Sequence, residues 1–170
     1  ITGTNAGQRH PDQGVLFIAM EYVQGHDLEE LLRDQALTQA EALEVLAQVC
    51  DGLAFAHRAG IVHRDVKPSN VRVTRDGRRL HAKVMDFGVA RLESPAPRLT
   101  RPGQAFGTPL YMSPEQALGE PTSAPSDIFS LGSVLCTLLL GRPWFDAPSL
   151  PGIVDRVVHA DPPRLSDLRP

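Results

Sequence analysis

Lysine is almost missing from this chain: only Lys67 and Lys83 occur, and arginine supplies the rest of the 17 basic residues. Any chemistry that needs a further lysine must find it outside these positions. Cysteine is nearly as scarce. Cys50 and Cys136 both fall in apolar helical patterns, which predicts two buried free thiols in a reducing cytosol rather than a disulfide or a metal site. Neither charge sign dominates, with 17 basic residues against 20 acidic ones, so neither nucleic acid nor a membrane surface is expected as the main partner. The longest strongly apolar stretch, Leu131 to Leu140, contains Gly132, Ser133 and Thr137 and is too short to cross a bilayer. No charged, signal-like leader stands at Ile1, so nothing marks the chain for export. There is no internal repeat and no low-complexity tract.

What is present suits one domain of 170 residues with a real core. The stretch 1–14 is rich in Gly, Thr, Asn and Gln, with His10-Pro11-Asp12 as a turn signal. Val15 to Met20 is a short apolar run that predicts a buried strand. After Gly25, the stretch Asp27 to Leu32 predicts a short helix with Asp27 near its start. Thr38 with Glu41 three residues on forms a capping box for the clearest helix. Its apolar stripe is read as Leu43, Leu46, Ala47, Cys50, Leu53, Ala54 and His57, and Gly60 stops it. Ile61-Val62 predicts a short strand entering a loop. Val71 to Thr74 and Ala82 to Met85 flank Asp76-Gly77, which predicts a β-hairpin. From Asp86 to Glu115 periodicity vanishes and five prolines occur, the mark of a functional or disordered segment. Ser126 is read as the cap of an apolar helix from Asp127 to about Leu140, ended by Gly141 and Pro143; a weaker helix follows over Leu150 to His159.

Two constellations carry chemistry. His63-Arg64-Asp65-Val66-Lys67-Pro68-Ser69-Asn70 sits in the loop after the long helix, and Asp86-Phe87-Gly88 leaves the hairpin. Together they resemble the catalytic loop and the metal-binding triplet of protein kinases. Gly107 to Glu115 is similar to the end of a kinase activation segment, with Ser113 where alanine is commoner. Asp127-Ile128-Phe129-Ser130-Leu131-Gly132 resembles the helix start whose aspartate hydrogen-bonds the catalytic-loop backbone, with Phe129 where Trp or Tyr is usual. Met20-Glu21-Tyr22-Val23 looks like the adenine-binding hinge. Lys67 and Thr108 resemble the serine/threonine branch, and Tyr111 to Gln116 looks most like its bacterial members.

The resemblance implies an α+β, protein-kinase-like fold. It would be mainly the helical C-lobe, with a small β-hairpin at the active site and a remnant of the N-lobe sheet. Residues 1–24 would be that remnant and the hinge, and 25–170 the C-lobe, its final helices cut off after Pro170. It also implies a protein serine/threonine kinase that uses ATP and Mg2+, acts on Ser/Thr-bearing protein substrates and works in the cytoplasm. By carry-over Asp65 is the base, Lys67 offsets phosphate charge, and Asn70 and Asp86 hold the metal. His63 and Phe87 pack beneath the site, with Gly88 completing the triplet. Arg64 beside the base is the pattern linked to activation-loop phosphorylation, for which Thr100 is the first acceptor and Ser94 the second, the alternative being an unmodified loop residue. Asp27 either meets the ribose or merely caps its helix. Arg72 stands where an apolar side chain usually floors the adenine, so either its stem covers the ring or adenine binds weakly. Glu115 of the family pairs with a late arginine, and no arginine after it lies in a matching motif. There is no Gly-rich loop and no strand lysine ahead of the hinge, so these 170 residues alone are expected to be inactive. The competing readings are a non-catalytic, pseudokinase-like interaction module and a small-molecule phosphotransferase; the segment Thr108 to Glu115 counts against the latter.

Overall fold

A computed structural model of the chain describes residues 5–9, 16–87, 109–161 and 164. It opens with an antiparallel pair, β1 (Asn5–Arg9) and β2 (Leu16–Ala19), whose register is irregular between Asn5 and Gln8. The expected strand at Val15–Met20 is therefore present as β2, although Ala19 and Met20 are exposed rather than buried. An irregular stretch leads to β3 (His26–Asp27). This strand joins a second sheet in the order β3-β4-β5, all antiparallel, with β4 at Val71–Asp76 and β5 at Arg79–Val84. Gly25 makes the junction possible. It has φ +109, and a Cβ there would lie 2.4 Å from the Val73 carbonyl oxygen, so only glycine lets the chain pass this close to β4. The hairpin β4–β5 pairs Asp76 with Arg79 across Gly77-Arg78, a turn closed by Gly77 at φ +58.

The helices are α1 (Leu28–Arg33), α2 (Gln39–Arg58), α3 (Pro114–Leu118), α4 (Ala124–Leu140) and α5 (Leu150–His159). Asp27 caps α1 by accepting from Glu30 N at 2.7 Å. The Thr38–Glu41 capping box of α2 is formed in both directions. The buried face of α2 is Ala42, Val45, Leu46, Val49, Leu53 and Ala56. The expected stripe is thus rotated: Leu43 is 44% exposed and Cys50 is also exposed. Positions 43, 47, 50 and 54 form the line next to the core-facing one, and β-branched Val45 and Val49 mark the true phase. The two thiols are free, but the expectation that both are buried fails at Cys50. Cys136 is half-buried, and burial raises its pKa.

Two further expectations are corrected. Ile61-Val62 forms no strand, because α2 ends in a Schellman motif. Gly60 at φ +72 donates to His57 O at 2.9 Å and Ile61 N donates to Ala56 O at 2.9 Å, which folds the segment back on the helix end. Ser126 does not cap α4. The helix starts at Ala124 behind Ser123, Pro125 presets the first turn, and Ser126 sits at the third position, its hydroxyl accepting from Ser123 N at 3.0 Å.

The main core gathers Leu28, Val45, Val49, Leu53, Val66, Val71, Val73, Leu80, Leu131 and Val134 from α1, α2, the hairpin, the intervening loop and α4. Burying a side chain of this size contributes about 1.5–3 kcal/mol. A smaller cluster of Ala117, Phe145, Ile153 and Val157 packs α3 against α5, and Phe129 of α4 stacks on Phe145 at 5.6 Å between centroids. The loop His63–Asn70 runs between α2 and β4 and is held over the first core.

Candidate active site

The catalytic-loop candidates are built on a buried carboxylate. Asp127, in the first turn of α4, is 1% exposed and collects three donors. His63 N donates to its Oδ2 at 2.8 Å, Arg64 N to its Oδ1 at 2.7 Å, and His57 Nε2 to its Oδ2 at 2.7 Å. A charge this deep is tolerated only with such partners. The residue the sequence did not single out is His57, read only as part of a helical stripe. Its position in the last turn of α2, where cationic side chains are favoured, was the available signal.

His63 is fully buried, and its two ring nitrogens have opposite roles. Nδ1 accepts from Asp65 N at 3.2 Å and Nε2 donates to Met85 O at 2.7 Å, so the neutral Nε2–H tautomer fits both partners. One imidazole thereby bridges the backbone of Asp65 to the residue before Asp86. Phe87 packs on the same ring, 4.6 Å between centroids. Arg64 (φ +70) and Asp86 (φ +62) both take the left-handed conformation. For side chains of this kind it costs about 1–3 kcal/mol and persists only where the surroundings enforce it.

Asp65, Lys67 and Asn70 touch one another. Lys67 Nζ lies 2.8 Å from Asp65 Oδ2, and Asn70 Nδ2 donates to the same oxygen at 2.9 Å and to Asp65 O at 2.7 Å. Both bonds use Oδ2, and neither uses Oδ1. A 3-10 turn over Pro68–Asn70, begun by the buried Pro68, swings Asn70 back beside Asp65. Met85 N then donates to Asn70 O at 2.8 Å, which ties the residue before the exposed Asp86 to the backbone of Asn70. With its amide nitrogen engaged, Asn70 offers its carbonyl oxygen, and Asp86 offers a carboxylate. A carboxamide oxygen and a carboxylate are both hard donors of the kind a divalent cation takes. Among the described residues no cluster of three or more His, Cys, Asp or Glu side chains suits a metal.

The hinge candidates Met20, Glu21, Tyr22 and Val23 lie in the irregular stretch before β3. Tyr22 is 82% exposed, Val23 half-buried, and Glu21 meets Lys83 Nζ at 3.1 Å on the surface. Asp27 faces Arg72 in the β3–β4 register, with Arg72 Nη1 3.9 Å from Asp27 Oδ2. Asp27 is thus a helix cap that also faces Arg72.

Glu115, in the first turn of α3, accepts a short hydrogen bond from Ser126 of α4, and among the described residues it meets no arginine. Burial pushes its carboxyl up, but the Ser126 hydroxyl and its own backbone N–H outweigh that, and its pKa lies below the ordinary value. Gly88, Thr100, Thr108 and Ser94 lie outside the described residues.

The sequence that builds this arrangement, an acid, a lysine and an asparagine joined at the mouth of a hairpin and braced from α4, is similar to sequences of known proteins. Residues 8–161 match the protein kinase domain family, and the chain belongs to it. The probable serine/threonine-protein kinase PknB of Corynebacterium glutamicum is 42% identical over 155 residues, covering 90% of this chain and 24% of that protein. Serine/threonine-protein kinase pkn3 of Myxococcus xanthus is 40% identical over 164 residues, 94% of this chain and 30% of its own. PknB of Mycobacterium leprae is 38% identical over 160 residues, 93% of this chain and 25% of its own. The chain therefore spans 24–30% of the length of these relatives. No helix among the described residues is long and apolar enough to cross a membrane.

Proposed function

We propose that this is part of a cytoplasmic serine/threonine kinase domain that transfers the γ-phosphoryl group of ATP, with Mg2+, to hydroxyls of protein substrates. The observation that carries the reading is the contact of Asp65 with Lys67 and Asn70, joined through the Asn70–Met85 backbone bond to Asp86. Phosphoryl transfer asks a protein chiefly for positioning and charge neutralisation, and these residues supply both. Asp65 Oδ1 orients the substrate hydroxyl and takes its proton, while Lys67 and Asn70 hold Oδ2 still. Lys67 offsets charge on the group in transfer. Asn70 and Asp86 would hold the cation, which would supply positive charge to offset that of the phosphates. Glu115 and α3 anchor the end of the peptide-binding segment on α4, and Met20 to Val23 offer backbone groups to the base.

The full-length gene product should phosphorylate a generic protein substrate, and Asp65→Asn should lower the rate by about 10²–10⁴-fold. A variant as fast as its parent would remove Asp65 from the chemistry. These 170 residues hold only two lysines, and no Gly-rich loop precedes the hinge, so the isolated chain is expected to transfer nothing.

One observation favours a second reading, a non-catalytic interaction module: Arg72 and Asp27, the residues read as meeting adenine and ribose, lie 3.9 Å apart and face each other instead. Melting curves with and without Mg-ATP separate the two. A ligand that binds only the folded state raises the melting temperature. No rise supports the module.

A further inference from the structure

Arg64 is held on every side. Its N–H donates to Asp127 Oδ1 at 2.7 Å, its guanidinium Nε donates to Thr122 Oγ1 at 3.0 Å, and its carbonyl accepts from Gln116 Nε2 at 2.6 Å. The third bond has a particular reach. The Arg64 carbonyl and the Asp65 N–H belong to one planar peptide unit. That N–H donates to His63 Nδ1. Gln116 therefore fixes, from the carbonyl side, the plane of the peptide that carries Asp65.

The other end of the same amide faces a different element. Gln116 Oε1 accepts from Ser113 N at 2.9 Å, closing the first turn of α3. Its orientation follows from its partners, since an N–H requires the oxygen and a carbonyl requires the NH2. A cap alone needs only an acceptor, and glutamate provides one equally well. Among the described residues the donor half of Gln116 is used solely toward Arg64. One rigid side-chain amide thus couples the end of the segment that runs up to Ser113 to the strained residue before Asp65.

We infer that Gln116 is a positioning residue for phosphoryl transfer: through the Arg64 carbonyl it makes the orientation of Asp65 depend on how the peptide-binding segment is seated. This rests on the reading of Asp65 as base and of Gly107 to Glu115 as peptide-binding. An effect on turnover, with nucleotide binding spared, distinguishes it from a general loss of structure.

The test uses the full-length gene product and three variants. Asp65→Asn checks the underlying reading, and parental activity there overturns that reading and the inference with it. Gln116→Glu keeps the acceptor for Ser113 N but loses the donor to Arg64. Gln116→Met, of similar length, loses both bonds and adds no charge. Both Gln116 variants are expected to lose about tenfold in kcat toward a peptide, the scale of one unmade bond to a buried group, with KM for ATP changed by less than about twofold. Amide exchange should show Ser113 still protected in the glutamate variant and released in the methionine variant. Parental kcat in either folded variant overturns the inference. So does a defect confined to methionine, which would make Gln116 a helix cap and nothing more.

Discussion

Ser113 is wholly buried, and its hydroxyl faces the Glu115 carboxyl, whose pKa it helps to hold down. Ser113→Ala removes that partner from a carboxyl already lowered below its ordinary value, so it is expected to cost about 1 kcal/mol in denaturant titration. An unchanged or higher stability would show that the hydroxyl contributes nothing there. At this scale the sequence was legible where chemistry is written in local spacing. Asp65, Lys67 and Asn70 lie within one loop, and their contact follows from a turn begun by proline. His57 and Gln116 were not legible, since their partners lie 70 and 52 residues away and only the packing of α2 and α3 against α4 and the loop brings them together. Arg72 fell between: its departure from the family pattern could be seen, but its contact with Asp27 needed the β3–β4 register.

Among the elements, α2 does most to set the sheet in place. Gln48 accepts from Ala82 N at 2.9 Å and donates to Leu80 O at 2.8 Å, standing in for the missing neighbour at the edge of β5. Gln48→Ala leaves both backbone groups without that partner and is expected to cost about 2 kcal/mol by chemical denaturation. The start of the same helix carries a pH dependence. The backbone N–H of Thr38 and the Arg75 guanidinium hold the Glu41 carboxyl down from its ordinary 4.5 to about 2. A carboxyl whose folded pKa is depressed stabilises the fold above its ordinary pKa and loses that contribution as pH falls toward the folded value. The melting temperature should therefore drop between about pH 4.5 and 2 by more than in Glu41→Gln, and identical acid profiles would discount the cap. Element existence was read correctly for α1, α2 and the hairpin because caps and turn residues are local. The helix phase and the start of α4 were misread, since which of two adjacent apolar lines faces inward is decided by what the rest of the chain puts against it.

For the molecule as a whole, two apolar clusters divide the labour: one seats the loop His63–Asn70 on α2, the hairpin and α4, and the other joins α3 to α5. The fold class was legible because the motifs come in the family's order, whereas the bracing between these bodies was not. The near absence of lysine has a practical side. Lys67 is 16% exposed and engaged by Asp65, while Lys83 on β5 is 58% exposed beside Glu21. An amine-reactive dye at low ratio should therefore modify Lys83 far ahead of Lys67, which peptide mapping of the labelled product can check. The chain so carries a built-in attachment point for a fluorophore beside Glu21, where arrival of a ligand at the stretch Met20–Val23 can be followed by emission without introducing a foreign residue.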